Sequence, residues 1–174
     1  MGVDNTRLHL GVATDLHAES FGQPGSRTFR LLVRTGEGEV SVWLEKEQIA
    51  MLGSAIEDLL EDLSPEAGEA PLYDGNATFI GSMEVRAGTL GIGFDAERNG
   101  FQVEASDLFS SSDGLELESI AWVSTRSQFE TVQDEVEDIV AASRPRCVLC
   151  GTPLTGEAHF CPPSNGHASV STAE

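Results

Sequence analysis

Apolar residues recur every three or four positions in two segments of the chain, residues 46–63 and 126–143. That spacing places the apolar side chains on one face of a helix, opposite an acidic face. The second segment begins with Thr125 and Gln128 at the spacing of a capping box, in which two side chains satisfy backbone N–H groups. Each segment therefore predicts an amphipathic helix. The apolar positions are Ile49, Leu52, Ile56, Leu59 and Leu60 in the first segment and Phe129, Val132, Val136, Ile139 and Val140 in the second.

Short runs with strand character precede each predicted helix. They are LHLGVA, TFRLLVRT and EVSVWLE in the first half of the chain, and SMEVRA, TLGIGFD, GFQVEA and LELESIAWVS in the second. Stretches rich in Gly, Ser, Asp and Asn separate them and have the composition of turns. Two sets of strands, each followed by one helix, predict an α+β fold with antiparallel or mixed sheets.

The two helix segments align with each other position by position, which indicates two related halves. Gln48 aligns with Gln128, and the apolar and acidic positions that follow them coincide. We predict two pseudo-repeated halves of strands plus one helix, because neither helix can bury its apolar face alone. The predicted boundaries are residues 1–63 for the first half, 64–78 for an irregular linker, 79–144 for the second half, and 145–174 for a zinc-binding tail with a disordered end.

Composition fits a folded protein, and charge limits what it can bind. Of the 174 residues 40% are hydrophobic, and the formal net charge is -19. Residues 144–174 are neutral overall, so the negative charge lies on residues 1–143. Such a surface repels phosphate backbones and anionic lipids, so we predict neither nucleic acid nor a membrane as partner. No run is long and apolar enough to cross a bilayer and no leader opens the chain, so we predict a cytoplasmic protein.

The tail segment CVLCGTPLTGEAHFCPPSNGH, residues 147–167, contains all three cysteines of the chain. Cys147 and Cys150 have the C-x-x-C spacing that lets two thiolates reach one metal ion from a tight turn. Gly151 follows directly and relieves crowding where the backbone approaches the sulfur atoms. Soft thiolates favour zinc over magnesium or calcium, so this half of the segment indicates a zinc site.

Cys161 and one histidine would complete a closed tetrahedral shell of the structural zinc type. We favour His159 as the fourth ligand and keep His167 as the alternative. A redox pair fits less well, because Gly151 and Pro153 block the helix that a redox C-x-x-C usually opens. A metal-free tail has too few apolar residues to order itself. We therefore predict one structural zinc ion as the cofactor.

The tail RPRCVLCGTPLTGEAHFCPPSNGH, the TRSQ at the second helix start and GQPGSRTF near the beginning together resemble one family. It is the actinobacterial family known as domain of unknown function 3090, and the resemblance runs from about Leu8 to His167. Val148 stands where that family usually has proline, and Ala158 where it has glycine. The resemblance implies a shared fold and a bacterial cytoplasmic origin, and it supplies no reaction.

Other candidates for chemistry have structural interpretations. TDLHAES brings Asp15, His17, Glu19 and Ser20 together in sequence, but a catalytic triad is assembled from distant segments, so we interpret it as a surface loop or edge strand. The glycines of GTLGIGFD do not have the order of a dinucleotide motif, and we interpret Gly91 and Gly93 as a strand twist or bulge. Trp43 and Trp122 each end the last strand of a half, where packing in the core or of a helix against the sheet is expected rather than stacking on a ligand.

The sequence therefore predicts no catalytic residue and no cofactor other than zinc. Its only specific motif is a closed metal site, so we predict a non-enzymatic zinc-binding adaptor that has a protein partner. The alternative is an enzyme, or an accessory subunit of one, that acts on a small molecule in a cleft between the two halves.

Overall fold

The computed structural model describes residues 7–23, 26–36, 38–72, 80–106, 108–110, 117–143 and 147–151. Within these ranges the chain forms nine β-strands and two α-helices, which confirms the predicted α+β class. Helix α1 covers Lys46–Asp62, and helix α2 covers Arg126–Ser143. The strands are β1 (Arg7–Val12), β2 (Asp15–Phe21), β3 (Thr28–Arg34), β4 (Gly38–Leu44), β5 (Gly81–Arg86), β6 (Thr89–Asp95), β7 (Gly100–Ser106), β8 (Phe109–Ser110) and β9 (Ser119–Ser124).

Both helices lie where the apolar periodicity predicts them, and the stripe residues face the core. The predicted capping box of α2 is present. Gln128 N–H donates to Thr125 Oγ1 over 3.2 Å, and Thr125 N–H donates to Gln128 Oε1 over 2.9 Å. In α1 the Gln48 side chain accepts from Glu45 N–H over 2.7 Å. Each helix is therefore capped by a glutamine in its own first turn.

The strands form two mixed sheets, and each half gives its first strand to the sheet of the other half. The strand order is β2-β3-β4-β5-β8 in one sheet and β1-β9-β7-β6 in the other. Strand β1 pairs in parallel with β9, and β5 pairs in parallel with β4, whereas the other ladders are antiparallel. The two halves are consecutive in sequence, but they interlock in space.

Matching contacts hold the two exchanged strands. Ala13 follows β1 and Ala87 follows β5, and their N–H groups donate to the last strand of the other half over 2.8 and 3.2 Å. The Gln128 side chain donates to the Ala13 carbonyl over 2.8 Å, and the Gln48 side chain donates to the Ala87 carbonyl over 3.0 Å. Each glutamine therefore caps its own helix and also fixes the chain as it leaves an exchanged strand.

One hydrophobic core joins both sheets and both helices. Helix α1 packs mainly on β6, α2 packs mainly on β2, and the two helices contact each other. A Cβ atom on Gly53 would lie 2.7 Å from Val136 Cγ1, so the glycine lets the helices approach closely. The largest fully buried side chains are Trp122, Phe101 and Phe129. The side chains that alternate away from this core form the outer face of each sheet.

The described part of the predicted linker, residues 64–72, packs against the second half. Gly68 has a φ of +82°, and a Cβ atom there would overlap the Phe101 ring. Its N–H donates to Asn99 Oδ1 over 3.0 Å. The Arg126 guanidinium donates over 3.0 and 3.1 Å to two carbonyl groups at and just beyond the end of α1. The rest of the predicted linker lies outside the described residues.

Candidate functional site

The first two cysteines of the tail lie on a tight turn. Gly151 N–H donates to the Cys147 carbonyl over 2.8 Å, and Gly151 has a φ of 72°, which favours glycine. A turn brings residues three apart to within about 7 Å between Cα atoms. From that separation the side chains of Cys147 and Cys150 can reach one ion with Zn–S bonds of about 2.3 Å. The local backbone therefore suits the first half of a zinc shell.

The other predicted ligands, His159, Cys161 and the alternative His167, lie outside the described residues. Within the ranges that are described, no group of three or more His, Cys, Asp or Glu side chains could hold a metal ion. The complete ligand set therefore stays a prediction, with Cys147 and Cys150 on a suitable turn.

The segment TDLHAES forms edge strand β2, one of its two predicted interpretations. His17 Nδ1 lies 2.8 Å from one carboxylate oxygen of Glu135 on α2, and Ala18 N–H donates to the other over 2.6 Å. Because side chains alternate along a strand, Ser20 lies on the opposite face of the sheet from His17. The strand does not bring a serine and a histidine together, and the His17–Glu135 contact fastens α2 to the sheet edge.

The two tryptophans have different surroundings. Trp122 is fully buried in the core, as predicted. Trp43 is only half-buried, because its neighbours in β4 point inward and strand alternation turns it to the outer face. There the Arg30 guanidinium carbon lies 5.7 Å from the Trp43 ring and 5.0 Å from the Phe21 ring. The predicted core position is therefore wrong for Trp43.

A groove crosses the outer face of the four-stranded sheet, with a volume of about 360 Å³. All four strands line it, and Gly91 and Gly93 of β6 are part of the lining. The one-to-one register of β6 with β7 excludes the predicted bulge at these glycines. A Cβ atom on Gly93 would have no atom within 4 Å, and one on Gly91 would meet only the Glu104 carbonyl at 3.9 Å. Neither position requires glycine, so the two glycines serve to leave the groove open.

His9, Arg7 and Glu104 contribute the titratable groups of this groove. Burial lowers the pKa of His9, the nearby positive charge of Arg98 lowers it further, and Glu104 acts in the opposite direction. Arg7 and Glu104 form a long ion pair of 3.8 Å. The groove therefore presents both signs of charge beside an imidazole that favours its neutral form.

Larger side chains stand at the equivalent positions of the five-stranded sheet. The matching registers place His17 where β6 has Gly91, and Arg30 where β7 has Gln102. The side chains of the outer face there contact one another, as in the ion pair between Glu19 and Arg30. The sequence alone does not reveal the groove, although the glycines of β6 stand out as unusual strand residues.

The fold defines an α+β protein with two mixed sheets whose halves exchange their first strands, and neither helix has the length and apolar character needed to cross a bilayer. A family model described as a protein of unknown function, DUF3090, matches residues 9–161, and the chain belongs to this family. No curated protein matches the chain, and no solved structure does. The predicted family is therefore confirmed.

Proposed function

We propose that the protein is a non-enzymatic adaptor whose tail carries a structural zinc ion and meets a protein partner. Cys147, Cys150 and Cys161 would supply three thiolates, and His159 would supply the imidazole, with His167 as the alternative. The observation that supports the proposal is the tight turn that contains both cysteines of the C-x-x-C, closed by the hydrogen bond from Gly151 N–H to the Cys147 carbonyl.

The tip of this turn supports a role in contact with a partner. Val148 is 97% exposed and Leu149 is 60% exposed, so two adjacent apolar side chains face water. A turn fixed on both sides by metal ligands would hold them as a rigid apolar tip, which a protein surface could bury. The net charge of -19 disfavours nucleic acid and anionic membranes as partners.

The ligand set favours a structural role for the metal over a catalytic one. Three thiolates and one imidazole fill a tetrahedral shell, so no position stays open for a water molecule. When bound, zinc would contribute folding free energy to a segment with few apolar residues. The thiolates require a reducing compartment, which fits the cytoplasm.

Elemental analysis of the purified chain tests the proposal. We expect one zinc ion per chain, and loss of that ion in Cys147→Ser and in Cys161→Ser, because each removes a thiolate from a four-ligand shell. Thr152→Ala, in the same tail, is the matched control and should keep the zinc. His159→Ala and His167→Ala separate the two ligand sets. A wild-type chain purified without chelators that contains no zinc and binds none on titration would contradict the proposal.

A second candidate function is the binding of a small molecule, by an enzyme or an accessory subunit, in the groove of the four-stranded sheet. The favouring observation is that β1 from the first half and β6, β7 and β9 from the second half all line it. Residues from both halves therefore line the groove. Its volume lies near the lower end of the range of ligand sites, roughly 300–1,000 Å³. A neutral His9 beside Glu104 could exchange protons with a bound molecule.

An NMR titration of His9 tests whether this groove forms in solution. We expect a midpoint below 6.5, because burial and Arg98 lower the pKa of His9. The unfolded chain then binds more protons between the two pKa values, so the free energy of unfolding falls as the pH drops through this window. His9→Gln should remove that part of the pH dependence. A midpoint at or above 6.5 would show that burial and Arg98 do not hold the imidazole in its neutral form, and would count against the groove.

A further inference from the structure

Strands β2 and β6 are equivalent edges of the two sheets. Each is the last strand in its sheet among the described residues, and each pairs on one side only. The registers match, with Ala18 opposite Leu31 in one ladder and Ile92 opposite Val103 in the other. In an antiparallel ladder, residues whose N–H points to the partner strand alternate with residues whose N–H points away. Ala18 and Ile92 are therefore both expected to direct their N–H to the open edge.

Helix α2 blocks the first of these edges, and α1 leaves the second accessible. Glu135 of α2 accepts the outward N–H of Ala18 over 2.6 Å and also contacts the His17 ring. The helix alignment places Ala55 of α1 at the position of Glu135. A methyl group cannot accept a hydrogen bond, so among the described residues Ala55 leaves the outward N–H of Ile92 available to a new partner. Proteins usually protect such edges with charges, proline or bulges.

An apolar pocket lies between α1 and this edge. It has a volume of about 270 Å³, and its lining includes Met51 and Ala55 of α1 with Leu90 and Ile92 of β6. Met51 is 72% exposed, the largest exposed fraction of a large apolar side chain on either helix. Backbone donors and acceptors beside an apolar pocket are what an added β-strand needs. The pocket would accept one of the alternate side chains of that strand.

Acidic residues flank the pocket on the helix. Asp58 and Asp62 follow Ala55 by one and two helical turns, which places them on the same face of α1. Glu47 lies one turn before Met51. All three are exposed. A second copy of the chain would bring a like-charged helix to this edge, whereas a cationic strand would find complementary charge.

We propose that β6 and α1 together form a docking surface for an extended segment of a partner protein, with a central apolar residue and a lysine or arginine two positions away on either side. The segment would add to β6 as a new edge strand and place its apolar side chain against Met51 and Leu90. Residues two apart in a strand share a face, so cations two positions to either side would point to the same face of α1, toward Glu47 and Asp58. This inference rests on the adaptor role of the proposed function and supplies a partner chemistry for it.

A designed peptide tests the docking surface. The probe is a seven-residue blocked peptide with valine at its centre, arginine two positions to either side and threonine elsewhere, titrated into the full chain and followed by backbone amide NMR. We expect saturable shifts at Leu90, Ile92 and Met51. The matched peptide with glutamate in place of arginine should not bind. No binding by the arginine peptide, or shifts spread over both helices, would overturn the proposal.

Ala55→Glu gives the sharpest result, because it installs on α1 the carboxylate that α2 carries as Glu135. The introduced carboxylate should accept a hydrogen bond from the Ile92 N–H and slow its hydrogen exchange. It should also raise the dissociation constant of the arginine peptide at least about tenfold. Simple attraction between charges predicts the opposite, since the variant adds a negative charge. Ser54→Glu adds the same charge away from the pocket and should keep the affinity. Equal weakening in both variants, or tighter binding in Ala55→Glu, would overturn the docking site.

Two further measurements separate this inference from the zinc proposal. Repeating the titration on Cys147→Ser should leave peptide binding intact, because the docking surface lies on the body and the zinc site on the tail. If the chain contains zinc but does not bind the arginine peptide, the docking surface alone is overturned. If the chain binds the peptide but contains no zinc, the zinc site alone is overturned. Sedimentation without peptide should show no association through β6. If the chain forms a dimer that Ala55→Glu abolishes, the occupant of the docking surface is a second copy of the chain and not a partner segment.

Discussion

Phe129→Ala is expected to lower the free energy of unfolding by about 3–5 kcal/mol, the usual cost of removing a buried phenylalanine ring. Phe129 is 1% exposed, and its ring centre lies 4.6 Å from that of Phe101. It belongs to α2 and contacts a strand of the four-stranded sheet, so its loss opens a cavity where helix and sheet meet. Single domains have roughly 5–15 kcal/mol of stability, so the variant should be close to unfolding.

Urea unfolding followed by circular dichroism measures this change, and Met51→Ala is the matched control. Met51 is 72% exposed, so its truncation should change stability by no more than about 0.5 kcal/mol. Similar unfolding midpoints for the two variants would show that the ring of Phe129 is not packed in solution as it is in the structure.

Zinc removal is expected to have the second large effect, and to confine it to the tail. Chelation should speed hydrogen exchange and proteolysis in residues 145–170, because the proposed zinc ion would supply the folding free energy that this segment lacks. The body should keep its unfolding midpoint, since one core joins both sheets and both helices. Hydrogen exchange with mass spectrometry, with and without chelator, measures both regions at once.

The outcome of chelation also distinguishes a structural from a catalytic metal. Unfolding of the body together with the tail would show that zinc supports the main core. A metal-dependent hydrolysis that disappears in Cys161→Ser, while the body stays folded, would overturn the non-enzymatic adaptor. Loss of tail protection alone, with no activity gained or lost, is the expected result.

The helices are the part of the fold that local sequence determines most fully. A helix with one buried face repeats its apolar residues every three or four positions, so the stripes that contain Ile49 and Phe129 can be read directly from the chain. The capping box of Thr125 and Gln128 is equally local, since it joins residues three apart. The edge strand β2 is harder to recognise, because the positions on its inward face after Leu16 are the small residues Ala18 and Ser20, which give a weak apolar signal.

Contacts between distant segments decide the candidate sites. The C-x-x-C of the tail is recognisable in the sequence because Cys147 and Cys150 are close together and can meet a metal through one turn. The groove at His9 depends on β1 crossing to the sheet of the other half. The open edge of β6 depends on which helix residue stands beside Ile92, and only the packed helices show that it is Ala55 rather than a carboxylate.

The sequence by itself determined the helix positions, the α+β class, the family and the spacing of the cysteines in the tail, because each depends on residues near one another or on direct resemblance. Tertiary structure decided the exchange of β1 and β5 and the packing of α1 on β6 and of α2 on β2. It also decided that side chains fill the outer face of the five-stranded sheet, whereas the four-stranded sheet has a groove there. Strand partners are chosen by burial and by hydrogen bonds across the whole chain. A strand with a given pattern of residues can bury its apolar face and complete its hydrogen bonds in either sheet. Its own residues therefore do not determine which strand it pairs with.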